Sequence, residues 1–324
     1  MHVLLVNNAP IPVFAYGGTE RVIWDLGRAL VGLGHRVSYL VPEGSHCDFA
    51  QVLPIRPGQP WAAQIPADVD VVHFQFNPKT DIGRPFVVTE HGNGRDPDPL
   101  ALNTIFVSRN HAQRHGSTRY VLNGLDWSAY GPVDFERARG HHHFLGKAAW
   151  RVKNVKGAIR VAALAGVELD VLGGTRLNLR RGFRFTWSPR VHFYGMVGGQ
   201  QKFDLLNASR GLILPVRWHE PFGLAVIESL YFGCPVFATP YGALPELVPH
   251  DCGTLAASAA ELAEAVRAWR GDPRACQAAV LHRFSADTMA RGYLQCYEEV
   301  LAGGQLNPQP PHMAESAFDQ PWQN

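Results

Sequence analysis

The chain of 324 residues is long for one ordinary domain and suits two α/β domains of typical size. Apolar side chains make up 46%, enough for two packed cores, while a net charge of +2 and a pI near 8.3 are too mild to argue for a nucleic-acid partner. The longest apolar stretches, such as Val3–Val6 and Leu212–Pro215, are strand-sized, which argues against a transmembrane helix; no basic segment precedes the first of them, which argues against a secretory signal. Five cysteines without a C-x-x-C pair fit reduced cytosolic thiols that pack as small apolar side chains.

In chain order, His2–Asn7 reads as a buried strand and Gly18–Gly34 as a helix with Val22, Ile23, Leu26, Leu30 and Leu33 on one face. Strand-like runs follow at Arg36–Val41, Asp70–Phe76, Pro85–His91, Thr104–Ser108 and Arg119–Leu122. A second series runs through His142–Gly146, Glu168–Leu172, Arg190–Tyr194, Gly211–Val216 and Pro235–Thr239. Helical patterns at Asn154–Ala165, Gln200–Ser209, Phe222–Phe232 and Ala259–Arg270 separate these strands. Alternation of this kind predicts two doubly wound parallel sheets, with a seam in the polar stretch Asn123–Gly140. The expected organisation is a first domain over 1–128, a second over 129–302, and a disordered tail over 303–324, where periodicity is lost. Ligands of such sheets bind at the carboxyl ends of the strands, so two domains facing across a cleft would hold a site between them.

The segment Leu212–Ser229, LILPVRWHEPFGLAVIES, is the richest in chemistry. A buried strand ends near Val216, and a helix starts near Phe222, because Pro221 suits a first turn and Gly223 permits close backbone approach. The amides of Phe222, Gly223 and Leu224 then face an anion, for which a diphosphate is the natural candidate. Glu228 lies one turn further on the same face, where a ribose fits, and Glu220 stands ahead of the helix, where a sugar would lie. Cations for that anion are offered by Lys147 at a strand's end and Lys156 at the next helix's start; the alternative is two ordinary surface lysines. Lys153 is a neighbour of less definite role.

Gly17 and Gly18, at the junction AYGGTE, let the chain pass close to a ligand, but the motif is not G-x-G-x-x-G and gives a nicotinamide cofactor little support. His91 and His73 stand at or near strand ends, where a lone histidine is more often structural than functional. His141–His143 alternate between two faces with no carboxylate or cysteine at ligand spacing, so no metal site is expected. Arginines and aromatics interleave over Arg176–Arg190, which reads either as a solvated edge or as a surface for anionic lipid headgroups or an acidic acceptor.

Together these segments resemble the retaining glycosyltransferases of family 4, also called group 1, with the two-Rossmann-domain GT-B fold. The E-x-F-G-x-x-x-x-E hallmark is similar to Glu220–Glu228, and the resemblance extends through YGGTERV (Tyr16–Val22), VLNGLDWSAY (Val121–Tyr130), FLGK with Lys156-Gly157, GALPELVPHDCGTL (Gly242–Leu255) and FSADTMARGYLQCYEEVL (Phe284–Leu301). It implies that Glu228 holds the ribose, Glu220 meets sugar hydroxyls, and Pro221 with the amides of Phe222, Gly223 and Leu224 frames sugar and phosphate. It further implies Lys147 and Lys156 at the diphosphate, Gly17 and Gly18 near the donor, the base beside Tyr194, Met196 and Val197, and His91 near the reacting centre. A lysine at Lys147 departs from the usual arginine, and the stretch Ser45–Ala67 lacks one helix–strand unit of the family pattern. A helix closing the chain would return to the first domain.

The activity implied is a metal-independent retaining transfer of a hexose-type sugar. The donor would be a UDP- or GDP-linked nucleotide sugar, used as co-substrate with no bound cofactor. The acceptor would be a glycan, lipid-linked or small-molecule hydroxyl. Family habit places such enzymes in polysaccharide biosynthesis, in the cytoplasm, with peripheral contact at the inner membrane face. A catalytically silent nucleotide-sugar-binding scaffold and a nucleotide-sugar epimerase of the same fold are the competing readings.

Overall fold

The computed structural model describes residues 1–12, 17–94, 98–178, 184–313 and 316–324. Short strands buried on both faces are what a parallel sheet covered by helices requires, and both series of apolar runs form such sheets. In the first, β1 (His2–Val6), β2 (Arg36–Val41), β3 (Gln51–Pro54), β4 (Val71–Phe74), β5 (Phe86–Glu90) and β6 (Thr104–Phe106) line up in the order β3-β2-β1-β4-β5-β6. In the second, β7 (His142–Leu145), β8 (Leu169–Leu172), β11 (Val191–Phe193), β12 (Leu212–Leu214), β13 (Val236–Ala238) and β14 (Gly253–Leu255) line up as β11-β8-β7-β12-β13-β14. A short hairpin of β9 (Leu177–Asn178) and β10 (Arg184–Phe185) interrupts this series. With the hairpin set aside, both sheets share one doubly wound order, in which the chain reverses direction beside the central strand.

The chain divides into two compact units. Of the described residues, the first takes 1–12 and Gly17–Trp127 together with those from Phe284 to Ser316; the second takes Ser128–Arg283 with Ala317–Asn324. In the first unit, α1 (Gly18–Gly32) carries its apolar face onto the sheet, α2 (Arg109–Arg114) follows β6, and α9 (Ala286–Leu301) packs on α1 and β5. One of its core clusters joins Leu4, Val6, Leu40, Val72, Phe74 and Val88 from four strands. In the second unit, α3 (Val155–Ala165), α4 (Gly199–Asn207), α5 (Leu224–Tyr231), α6 (Leu244–Leu247), α7 (Ala259–Ala268) and α8 (Pro273–Leu281) surround the other sheet.

Several expectations are corrected. The stretch Ser45–Ala67 does contain a strand, β3; between β3 and β4 only the 3₁₀ turn Trp61–Gln64 appears among the described residues, so the missing element is a helix. Arg119–Leu122 forms a single bridge, Phe106 to Tyr120, rather than a strand. The tail expected to be disordered is held in place over most of its described length. Asn307 is buried and donates from Nδ2 to the carbonyls of Leu102 and Thr104 at 2.7 and 2.8 Å, completing the first unit. Further on, the Ala317 carbonyl accepts from the His219 amide at 2.7 Å, and Gln323 exchanges backbone bonds with Ala257 and Ala259. The tail lacks helical or strand periodicity because its polar groups are satisfied one at a time by loops, a pattern that leaves no repeat to read.

Burial also decides how the protein responds to acid. His73 sits in the first unit between the hydroxyls of Tyr297 and Thr89, each 2.7 Å from a ring nitrogen, and His143 sits in the second between Ser209 and Ser229 at 2.6 and 2.8 Å. Desolvation lowers the pKa of His73, His111 and His143 to about 3 and of His91 and His142 to about 4. It raises the carboxyls of Asp25 and Glu90 to about 7. Unfolded histidines titrate near 6.5 and unfolded carboxylates near 4, so between those values the unfolded chain gains up to five histidine protons and the folded chain retains two carboxyl protons. The balance favours the unfolded state as pH falls. The melting temperature is therefore expected to drop steadily from about pH 6.5 towards pH 4, and calorimetry across that range checks it; a flat profile would contradict the buried neutral histidines.

Candidate functional site

Strand β12 gives way to α5 through Pro215–Gly223, and this linker carries the first of two buried carboxylates. Glu220 is 7% exposed. Lys153 donates from Nζ to both of its oxygens, at 2.8 and 2.7 Å, and Trp218 donates from Nε1 to Oε2 at 2.7 Å. The same indole lies 4.9 Å below the Lys153 ammonium, so one ring serves as both donor and cation–π platform. The backbone of Glu220 bridges Gly242, where φ is +69° and an added Cβ would come 2.2 Å from the Glu220 carbonyl oxygen; only glycine fits. On its other side the loop is backed by the closing residues, with Phe318 bridging Trp218 and its ring 5.9 Å away.

Lys153 reaches Glu220 through a specific local turn. A 3₁₀ turn, Arg151–Lys153, ends at Asn154, which adopts the left-handed conformation that asparagine tolerates. The Asn154 Oδ1 accepts from the Gly157 amide at 3.1 Å, capping α3, and its Nδ2 donates to the Pro215 carbonyl at 2.9 Å. One side chain thus starts a helix and fastens the lysine turn to the end of β12.

The second carboxylate, Glu228, lies one helical turn into α5 and is 4% exposed. The Tyr130 hydroxyl donates to its Oε1 at 2.6 Å, and the ammonium of Lys202, from α4, bonds the same oxygen. Lys202 is itself buried, with its ammonium 5.4 Å from the Tyr130 ring centroid. Two charges taken this far from water persist only as a pair.

Lys147 follows the end of β7, in a loop tied to β8 and beyond by bonds from the Gly146 amide to the Leu172 carbonyl and from the Ala148 amide to the Gly173 carbonyl, both 2.9 Å. Gly173 has φ +126°, and a Cβ there would come 2.1 Å from the Gly146 carbonyl oxygen. The Lys147 ammonium lies 5.4 Å from the Trp150 ring centroid. Tyr194 and Met196 are exposed and Val197 is buried, in the stretch that leaves β11 at this same carboxyl edge. Lys156 is exposed on α3, so Lys153, three residues earlier, is the lysine that stands against Glu220.

Pro221, Phe222 and Gly223 precede α5, and Leu224 opens it, two residues later than the helical pattern suggests. Gly223 has φ +116° at the cap. The opening amides of a helix have no intrahelical acceptor, so this end favours an anion. Lys153 and Lys202 set one ammonium group against each of the carboxylates of Glu220 and Glu228, and Lys147 adds a third ammonium group in the loop after β7.

In the first unit, Gly17 and Gly18 lie at the start of α1, and Tyr16 falls outside the described residues. His91 follows β5 and its Nε2 lies 2.8 Å from Gln75 Oε1. Burial holds its ring neutral, with the pKa lowered to about 4, so near neutral pH it can accept or donate one hydrogen bond without carrying charge.

Three residues of the second unit escape sequence reasoning: Lys202, Tyr130 and Trp218. Each acts across a separation in sequence or through a loop conformation; Tyr130 and Trp218 stand in segments singled out beforehand, Val121–Tyr130 and Leu212–Ser229, without a role being read for them, and Lys202 stands in none.

Residues 140–272 match the family model described as Glycosyl transferases group 1. An uncharacterized 41.2 kDa protein in the cps region of Klebsiella pneumoniae is 24% identical over 172 residues, which cover 51% of this chain and 44% of that protein. The match thus spans less than half the length of that curated relative. Among solved structures, AviGT4, a glycosyltransferase involved in avilamycin A biosynthesis, is similar with a TM-score of 0.74 at 23% identity, over 94% of this chain and 98% of that one. Sucrose-phosphate synthase from Thermosynechococcus elongatus gives 0.71 at 18% identity, over 94% and 100%. Anabaena HepE in complex with UDP-glucose gives 0.66 at 18% identity, over 94% and 100%. With two six-stranded parallel sheets in doubly wound order, these likenesses establish a GT-B fold built of two Rossmann-like domains. No helix among the described residues is long and apolar enough to cross a membrane.

The Lys202–Glu228 pair makes a stability prediction. Lys202→Met is expected to cost about 3–5 kcal/mol by stranding a buried carboxylate. Adding Glu228→Gln should recover most of that loss, a coupling that denaturant unfolding of the two single variants and the double variant would measure.

Proposed function

We propose that this chain is a metal-independent retaining glycosyltransferase of the family 4 type. It would move a hexose-type sugar from a nucleotide diphosphate to a hydroxyl of a glycan, lipid-linked or small-molecule acceptor. The observation that carries the reading is the pair of buried carboxylates on either side of the α5 amino terminus, each already matched to its own ammonium group.

In this reading the α5 terminus, Lys147 and Lys153 neutralise the diphosphate and stabilise it as a leaving group. Glu228 accepts from the ribose hydroxyls, sharing its carboxylate with Tyr130 and Lys202, and the base lies along Tyr194–Val197. Glu220, with Pro221 and the Phe222–Leu224 backbone, meets the sugar. His91 and the Gly17-Gly18 turn are the residues of the first unit that we assign to the reaction. The bond from the anomeric carbon to the phosphate oxygen breaks, and the acceptor oxygen bonds to that carbon from the same face. The acceptor's proton passes to the departing phosphate, so the step needs no protein nucleophile and no metal. HepE is known with UDP-glucose bound, which supports a uridine diphosphate sugar as the first donor to test. We place the activity in polysaccharide or glycolipid assembly at the cytosolic membrane face, in line with the cps-region name of the Klebsiella relative.

Calorimetric titration with a panel of nucleotides and nucleotide sugars, in EDTA, tests this. One nucleoside diphosphate should bind selectively, with binding lost in Glu228→Ala and weakened in Lys153→Met. Failure of every nucleotide to bind a folded sample would overturn the reading. With the matching donor, Glu220→Gln is expected to lower the transfer rate by about 10²–10³, and NMR of the product should show the donor's anomeric configuration kept.

A further inference from the structure

The amino-terminal edge of the second sheet, at the far end of the same strands, carries a cluster that the proposed transfer does not use. His141 precedes β7, Glu168 precedes β8, Asp170 lies within β8 and His192 within β11. Register explains how they meet. Asp170 pairs with His143 on one side and His192 on the other. Partners across a parallel ladder share a face, as do residues two apart along a strand. His141, Glu168, Asp170 and His192 therefore project from one face of three adjacent strands.

The contacts within the cluster are those of ligands and their supports. His141 Nδ1 is 3.0 Å from Asp170 Oδ1, and its Nε2 is 2.9 Å from Glu168 Oε2. His192 Nε2 is 2.8 Å from the same Glu168 oxygen. The two imidazoles stack with planes 14° apart and centroids 5.0 Å apart, and each turns its Nε2 to the same Glu168 oxygen. Ligand atoms of His141, Asp170 and His192 all lie within 4.8 Å of one another. Two atoms bound to one zinc ion at about 2.0–2.2 Å each sit roughly 3.3 Å apart in tetrahedral geometry, so small rotations of half-exposed rings would close the set.

We propose that His141, Asp170 and His192 form a binding site for a divalent transition metal of the zinc class. Glu168 is the outer carboxylate. By accepting from Nε2 of both rings it directs Nδ1 of each towards the ion, the carboxylate–histidine–metal arrangement of many natural sites. Two imidazoles select against magnesium and calcium, which prefer oxygen ligands. The two ligand-bearing ends are separated from Lys147 and Glu220 by the length of the strands, so the ion would link β7, β8 and β11 rather than join the transfer chemistry.

The test uses the full chain, stripped with a chelator and titrated with ZnCl₂ by calorimetry near neutral pH, with Co²⁺ absorption as a spectroscopic readout of imidazole ligation. Saturable binding of one ion per chain is expected. His141→Ala and His192→Ala should each weaken it at least about tenfold, Glu168→Gln should weaken it while leaving the ligands in place, and His250→Ala on a separate surface should leave it unchanged. Circular dichroism confirms that each variant is folded. Absence of saturable binding by the wild type, or equal affinity in folded His141→Ala and His192→Ala, would reduce the cluster to hydrogen-bonded histidine–carboxylate pairs and overturn the proposal.

Discussion

A carboxylate removed from water must meet a positive partner, and the second unit meets this demand twice within one helix and the loop before it. Glu228 is paired with Lys202 and Glu220 with Lys153. Much of the surrounding structure follows from these two pairs. Asn154 adopts an unusual backbone conformation to hold the Lys153 turn against Pro215. Gly242 lacks a side chain because the Glu220 backbone occupies the space, and Trp218 is drawn in as a hydrogen-bond donor. Aromatic rings from Tyr130 and Phe203 lie near Lys202, lowering the cost of an ammonium group in a dry setting. The carboxylates are therefore held and oriented before any ligand arrives, which limits the reorganisation that binding would require.

The two sheets share one strand order, yet they treat their carboxyl edges differently. In the second, glycine contacts bring loops together: Gly173 against Gly146, Gly242 against Glu220. Backbones that close cannot accommodate a Cβ, so the edge is rigid where the charged groups emerge. In the first, two neutral imidazoles lie among the described residues, with His91 on Gln75 and His111 on the Gly92 carbonyl.

The strands of both sheets are legible because a parallel strand covered on both faces is a continuous apolar run, as at Val3–Val6 or Leu212–Leu214. Strands β3 and β14 escape because they are edge strands with half-exposed patterns and no such run. The carboxylate pair Glu220 and Glu228 is legible as a spacing around Pro221-Phe222-Gly223. Its cations are less so. The sequence favours Lys156 over Lys153, and it is the left-handed Asn154 that brings Lys153 onto Glu220. Lys202 reads as one more polar residue on an amphipathic helix until α4 is set beside α5. The histidine cluster is hidden for the same reason: His141, Asp170 and His192 are adjacent only through strand register, and spacing along a single chain does not encode which strand lies next to which.

The first unit is discontinuous: its sheet and α1 come from the start of the chain, while α9 and Asn307 arrive near the end. During synthesis, the surfaces of α1 and β5 that α9 covers therefore wait for Ser128–Arg283 of the second unit to emerge from the ribosome. Residues Ala317–Asn324 impose the reverse dependence, since the loop beside Trp218 is completed last of all. Neither unit can reach its final packing from a contiguous stretch of nascent chain.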